Sequence, residues 1–120
     1  MSANLNRLTG FTITAADPVA TAASYAAHLG YIVCDEGIIT AVTAGQWRTP
    51  NMTGRRYVEM QVPASTGPGC FVRFIEQMPH PGLPLLGHGW NAMEVLCQNP
   101  YELAKDFAGS AFRVVIPPRP

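Results

Sequence analysis

The residues best suited to binding chemistry lie at alternate positions of two short segments. Tyr57 and Glu59 alternate with apolar residues, and Arg73 lies between Val72 and Phe74. Successive side chains of a β-strand point to opposite faces, so this alternation predicts strands with one polar and one apolar face. Because a guanidinium is planar and always cationic, Arg73 on the polar face would suit a carboxylate or a phosphate held by two parallel hydrogen bonds.

A third segment and two tryptophans extend this candidate site. Residues 90–97 favour a strand on which Trp90 and Glu94 share one face. The expected charge network and its aromatic walls consist of Arg73, Glu59, Glu94, Tyr57, Trp47 and Trp90. Two alternatives remain open. In the first, Arg73 binds no ligand and only neutralises glutamates on a half-exposed sheet face. In the second, this face is an interface with another chain, since Trp and Arg are enriched at interfaces.

The histidines and cysteines form no recognisable metal or redox motif. His80 and His88 are eight residues apart, a spacing that matches no metal motif, and His28 is expected to be solvated at the end of a helix. The cysteines are odd in number and lack a C-x-x-C spacing, so they are predicted to be reduced. These thiols, which we also expect to be buried and inert, are Cys34, Cys70 and Cys97.

The elements that must position the candidate site begin with a strand, a helix and a second strand. Residues 11–15 and 31–34 are short β-branched or apolar runs typical of strands. Between them, Asp17 is suited to cap a helix that begins at Pro18, and Gly30 is suited to end it in a left-handed conformation. Apolar residues at spacings of three and four give this helix one buried face.

The middle of the chain is ambiguous at one point. Residues 35–50 contain β-branched residues that favour a strand, but Asp35 could also cap a helix, and we favour the helix. Further strands are predicted at 56–62 and 70–76. A stretch rich in proline and glycine, residues 79–89, is predicted to be a linker.

The opening pattern repeats after the linker. Residues 90–97 form a predicted strand, Asn99 and Pro100 begin a helix with Glu102 at the capping-box position, and residues 112–116 form the next predicted strand. The two helix starts are 82 residues apart. This spacing indicates an internal repeat whose second copy is incomplete.

Composition and charge narrow the class of protein. The chain has 120 residues, 48% of them apolar and 13% charged, which indicates one packed domain instead of disorder. Eight basic and eight acidic residues cancel, so no basic excess favours nucleic acid. No apolar run reaches the roughly 18 residues of a membrane helix, and the N-terminus lacks the apolar core of a signal peptide. We therefore expect a cytoplasmic protein with no nucleic-acid or membrane partner.

The repeated pattern resembles the vicinal oxygen chelate superfamily, which includes glyoxalases, extradiol dioxygenases and bleomycin-resistance proteins. The matching stretches are FTITAADPVATAASYAAHLGYIV, RRYVEMQV, CFVRFIEQ and GWNAMEVLCQNPYELAKDF, which leave out residues 35–55 and the linker. A nearer likeness is to the N-terminal part of uncharacterised bacterial members with several such modules.

The resemblance implies an α+β fold with two units. A βαβββ glyoxalase-like module would occupy residues 1–78, followed by the linker at 79–89 and by the βαβ start of a second module at 90–120. The expected sheet is curved and mixed, with helices on its convex face and a ligand on its concave face.

In this superfamily a divalent metal is bound by His, Gln or Glu of the first and last strands. The corresponding positions here are Gly10, Ala92 and Arg73, and none of these side chains can bind a metal ion. The resemblance therefore leads us to expect no cofactor. A divalent metal such as Zn, Ni or Fe would require ligands from outside this chain.

Three functions follow from the resemblance. The first is a glyoxalase-like domain without the metal site, which binds a small organic molecule in the concavity of the sheet, with an anionic group on Arg73. The second is a metal-dependent lyase, isomerase or dioxygenase with ligands outside this chain. The third is a structural half-domain that pairs with another copy as a homodimer, or with a further module, because an incomplete module leaves open sheet edges.

Overall fold

One mixed sheet of four strands organises the computed structural model, which describes residues 8–62, 70–77 and 92–120. The fold is therefore α+β, as predicted. The strands are β1 (Gly10–Ala15), β2 (Ile32–Ile38), β3 (Arg56–Gln61) and β4 (Phe71–Glu76). The helices are α1 (Pro18–Leu29), α2 (Ala41–Gln46) and α3 (Pro100–Asp106), with a short 3-10 helix at Pro50–Met52.

The strands lie side by side in the order β1-β4-β3-β2. β1 runs parallel to β4, whereas β3 is antiparallel to both β4 and β2. The strands predicted at 11–15, 56–62 and 70–76 are confirmed, and no end differs from the prediction by more than one residue. β1 and β2 form the two edges of the sheet, so the two central strands carry the residues predicted to form the site.

Helix α1 has the two ends that its sequence predicts. The Asp17 carboxylate accepts hydrogen bonds from the backbone N–H groups of Val19 and Ala20, both at 3.1 Å, and so satisfies donors that lack a partner within the helix. Gly30 ends the helix at a φ of 71°, a left-handed conformation that is strained for residues with a Cβ.

The ambiguous stretch contains a strand first and a helix second. β2 continues to Ile38, so the prediction of a helix capped by Asp35 is wrong at its start. The cap is Thr40, whose Oγ1 accepts a hydrogen bond from the Thr43 N–H at 3.1 Å. Residues 35–38 form a strand because β3 offers them a partner for backbone pairing, which outweighs their short-range helical pattern.

Helices pack against both faces of the sheet. One face carries Val58, Met60, Val72 and Phe74, which are buried together with Ala22 of α1. The opposite face, here called the Arg73 face, carries Tyr57, Glu59, Arg73 and Ile75.

Helix α2 packs on this second face, through a cluster of Ile39, Ala44 and Ile75. The prediction that the helices share the convex face is therefore wrong for α2. Ile75 is an apolar side chain on the Arg73 face, and α2 is the element that covers it.

The predicted second strand–helix–strand unit contains only its helix among the described residues. Asn99 caps α3 by accepting from the Tyr101 and Glu102 N–H groups, whereas the Glu102 side chain bonds to Lys105 and does not complete a capping box. Residues 92–97 and 112–116 are not strands, so these two predictions are wrong there. A segment with high β-propensity forms a strand only when its backbone groups can pair with a neighbouring strand. Residues 92–97 and 112–116 pair with none of the described strands. Leu96 is fully exposed at 100% as a result.

Two expectations concern residues beyond this description. The linker at 79–89 and the start of the strand predicted at 90–97 lie outside the described residues. The division of the chain into modules therefore stays a prediction. In the part of the chain that the structure describes, no helix combines the length and apolarity needed to cross a membrane.

Candidate functional site

Arg73 lies at the centre of a polar row that crosses the whole sheet. Its position on β4 is opposite Thr12 on β1 and opposite Glu59 on β3, and Glu59 in turn is opposite Asp35 on β2. Opposite residues of paired strands share a face, so these four side chains project from the Arg73 face. The site is therefore built on strands, which hold side chains more rigidly than loops do.

Arg73 and Glu59 form the ion pair that the sequence predicts as one possibility. The Arg73 Nε and Nη2 atoms each lie 2.9 Å from the same Glu59 oxygen, Oε2. The side chains are only 13% and 21% exposed, respectively, so solvent screens their attraction less than at an open surface. Of the five N–H donors of a guanidinium, this contact uses two.

Two aromatic rings lie close to the guanidinium of Arg73. The Arg73 Cζ atom lies 3.7 Å from the centroid of the Trp47 ring and 4.7 Å from that of the Phe71 ring. Both distances are within the range of cation–π attraction. Among the described residues, no acceptor contacts the Nη1 atom of Arg73, so its N–H groups remain for a ligand such as a carboxylate.

Trp47 is positioned by the short helix α2. It follows directly after the last helical residue, and its backbone N–H donates to the Thr43 carbonyl of the helix at 2.9 Å. The indole packs edge to face against Tyr57, with ring centroids 5.3 Å apart and planes at 88°. The tryptophan thus lies between Tyr57 and Arg73. That Trp47 and Tyr57 form the walls of a ligand site stays a prediction.

Two residues of the site are absent from the sequence-based prediction. Asp35 accepts a hydrogen bond from the Tyr57 hydroxyl at 2.8 Å, and the ring centroid of Phe71 lies 4.7 Å from the Arg73 Cζ atom. The spacing of two residues between Phe71 and Arg73 already indicates a shared face. The place of Asp35 depends on β2, which the helical interpretation of residues 35–50 concealed.

The carboxylates of Asp35 and Glu59 contribute to the raised pKa values of two neighbouring side chains. The hydrogen bond to Asp35 is the main reason that the pKa of Tyr57 is raised, and burial and the charges of Asp35 and Glu59 add to it. The pKa of Cys34 is raised chiefly by desolvation and then by the same two carboxylates. Cys34 donates to the Glu59 carbonyl through Sγ at 3.3 Å, yet Cys34 and Cys97 are exposed, so the prediction of buried thiols is wrong for both.

The remaining candidate residues lie away from this cluster. Glu94 is exposed in a segment without regular structure and makes no ion pair with any charged side chain that the structure describes. Its neighbours Met93 and Val95 line a cleft of about 500 Å³ along β1, together with Phe11 and Ile13. Trp90 lies outside the described residues.

The histidine of α1 has a structural contact that the sequence does not reveal. The His28 Nδ1 atom is 2.9 Å from the Asp106 Oδ2 atom of α3, and its ring lies edge to face against Phe107 and Phe112. The expectation of a solvated residue is therefore wrong. His80 and His88 lie outside the described residues.

The expected metal-ligand positions do not fit a divalent ion. Arg73 is a cation paired with Glu59, and an added Cβ at Gly10 would overlap the ring of Phe71. Across residues 8–62, 70–77 and 92–120, no three His, Cys, Asp or Glu side chains are close enough together to bind a metal ion.

Comparisons with models of protein families, with curated protein sequences and with solved structures found no match.

Proposed function

We propose that this chain is a glyoxalase-like domain that binds a small organic molecule on the Arg73 face, with an anionic group of the ligand on Arg73 and without a metal. The order β1, α1, β2, β3 and β4, into which α2 is inserted after β2, supports the module type together with the sheet order β1-β4-β3-β2. The observation that carries the proposal is the Nη1 atom of Arg73, which has no acceptor among the described residues and belongs to a guanidinium close to the rings of Trp47 and Phe71.

The surroundings of Arg73 favour binding over a purely structural ion pair. An arginine that only neutralises a glutamate gains most from a bidentate contact with both carboxylate oxygens. Here one oxygen of Glu59 takes both contacts, and no other side chain among the described residues accepts from the guanidinium. The unused donors and the aromatic rings together form a site for a planar anionic group attached to an apolar body.

A titration with simple anions tests this function. We expect acetate, benzoate and phenyl phosphate to shift the backbone amide NMR signals of β3 and β4 in a saturable manner. The Arg73→Lys variant keeps the charge but loses the planar donor edge, so the same titration should give at least a roughly tenfold weaker response.

Arg56 supplies the matched control for that titration. It is also a strand arginine in a cross-strand ion pair, with Glu76, but it alternates with Tyr57 and therefore lies on the opposite face. The Arg56→Lys variant should bind the three anions as the wild type does. An equal loss in both variants, or saturable shifts that do not involve residues near Arg73, would contradict the proposal.

Pairing with a second copy is the alternative that one observation favours. β2 is an edge strand whose residues are all exposed, and it carries Ile32 and Ile38 at 62% and 56% exposure. Open edges with apolar side chains are usually covered in folded proteins. Sedimentation equilibrium over a wide range of concentrations separates a dimer from a monomer. A folded monomer at all concentrations would count against this alternative, and it leaves the ligand proposal unchanged.

A further inference from the structure

The acidic residues of the Arg73 face are arranged in an unfavourable pair. Asp35 and Glu59 lie directly opposite each other on neighbouring antiparallel strands. Opposite side chains in such a pair have Cβ atoms about 5 Å apart, and like charges at this distance are destabilising. Arg73 relieves this repulsion on the side of Glu59, but the row still contains two carboxylates and one cation among the described residues.

Among the described residues, the hydrogen bonds of Glu59 and Asp35 use one oxygen of each carboxylate. Glu59 uses Oε2 for both contacts with Arg73, and Asp35 uses Oδ2 for the Tyr57 hydroxyl. Within the part of the chain that the structure describes, no side-chain donor contacts Glu59 Oε1 or Asp35 Oδ1. The pKa of Tyr57 is raised chiefly by its hydrogen bond to Asp35 and that of Cys34 chiefly by desolvation, and the charges of Asp35 and Glu59 add to both.

The order of the charges along the polar row indicates which charged groups a ligand should carry. Cation and anions follow one another in the sequence Arg73, Glu59 and Asp35, on adjacent strands about 4.8 Å apart. A simple anion gains the contact with Arg73 but is repelled by both carboxylates, so it should bind more weakly than a ligand that also carries a positive charge. A simple amine between the carboxylates would leave the free donors of Arg73 unused. A molecule with an anionic and a cationic group a few ångströms apart complements all three residues.

We propose that the ligand of the Arg73 face is a zwitterion, namely a free α-amino acid with an apolar or aromatic side chain. This inference rests on the proposed function. The carboxylate of the ligand binds the Nη edge of Arg73, and its ammonium group lies between Glu59 and Asp35. The apolar part lies against the rings of Trp47 and Tyr57, which border the row.

Three probes that differ by one charged group each test the inference. L-Phenylalanine carries both groups, 3-phenylpropanoate lacks the ammonium and 2-phenylethylamine lacks the carboxylate. In amide NMR titrations of the full chain, we expect phenylalanine to bind at least roughly tenfold more tightly than either analogue, because each analogue loses one charge-assisted contact.

The Asp35→Asn variant tests the ammonium contact directly. The amide retains an acceptor for the Tyr57 hydroxyl but loses the negative charge, so affinity for phenylalanine should fall by about tenfold while that for 3-phenylpropanoate does not fall. Glu36→Gln is the matched control, because Glu36 is the next residue of β2, is exposed and alternates to the other face. It should change neither affinity.

The outcomes separate this inference from the proposed function. If 3-phenylpropanoate binds as tightly as phenylalanine and its binding depends on Arg73, the function stands and the zwitterion is wrong. If none of the three probes binds, or if their binding is unchanged in Arg73→Lys, both are wrong. If Asp35→Asn leaves the preference for phenylalanine intact, the placement of the ammonium group is wrong and the inference fails.

Discussion

The guanidinium of Arg73 stacks on the indole of Trp47, with Cζ 3.7 Å from the ring centroid. The two residues come from different layers of the molecule, since Arg73 is on the sheet and Trp47 ends the helix that lies over it. The contact therefore joins α2 to the polar row of the sheet. Among the described residues, the Nη1 atom of Arg73 has no acceptor, and we propose that a ligand binds there.

The ion pair of Arg73 with Glu59 should stabilise the fold more than that of Arg56 with Glu76. Both pairs join β3 and β4, but the first is much less exposed. Truncation in Arg73→Ala leaves Glu59 without its cation in a partly buried place, so we expect a loss of about 2 kcal/mol in the free energy of unfolding. Arg56→Ala should cost under about 1 kcal/mol. Urea denaturation measures both, and equal losses would show that burial of the first pair is unimportant.

Gly10 should be intolerant of a side chain because of Phe71. An added Cβ would overlap the far edge of the Phe71 ring, so Gly10→Ala must displace the ring from its place beside Arg73. We expect a destabilisation of about 1 kcal/mol, as for other overpacked sites, and a weaker anion response. Gly45→Ala in α2 is the matched control. Its Cβ would meet no atom within 4 Å, so gain of helix propensity should stabilise the protein by about 0.5 kcal/mol. Similar stability changes in both variants would contradict this interpretation.

Tyr57 should make stability depend on pH in the alkaline range. Its pKa is raised in the folded protein, chiefly by the hydrogen bond to Asp35. The folded state therefore holds the phenolic proton more firmly than the unfolded state, and this contribution is complete below the ordinary pKa of about 10. It is lost as the pH rises through the higher folded value.

The comparison of the wild type with Tyr57→Phe isolates that contribution. The difference in unfolding free energy between the two should be constant near neutral pH and should shrink in strongly alkaline solution. The other tyrosines with raised pKa values, Tyr25 and Tyr31, are common to both proteins and cancel. A difference that does not vary with pH would contradict the assigned role of Asp35.

His28 should hold α3 against α1. Loss of its contact with Asp106 and of its packing on Phe107 in His28→Ala should open α3 locally and leave the sheet intact. Hydrogen exchange of the α3 amides should become faster, with those of β3 and β4 unchanged. The Lys105→Ala variant removes an exposed ion pair on the same helix and serves as the control. Equal effects of the two variants would show that the histidine has no docking role.

The parts of the site that depend on local pattern could be predicted from the sequence. Alternation placed Glu59 and Arg73 on one face of paired strands, and the Asp17-Pro18 start and Gly30 end of α1 are local chemistry. The sequence did not predict Asp35 as a site residue, because its strand depends on pairing with β3, a contact between residues more than twenty positions apart.

The errors at residues 92–97 and 112–116 have the opposite cause. Both runs have the composition of strands, for example Val114 and Val115, but a strand also needs a neighbour with free backbone groups. None of the described strands pairs with them. Whether such a run becomes a strand is decided by tertiary context, which composition and periodicity do not contain.

Native mass spectrometry of the purified chain and of its Arg73→Lys variant tests the central claim most directly. The wild type should give a metal-free mass, and added L-phenylalanine should produce a one-to-one adduct that is lost or strongly reduced in the variant. An adduct of equal abundance in both proteins would contradict the role of Arg73. One tightly held divalent ion per chain would contradict the metal-free site and favour an enzyme of the glyoxalase type.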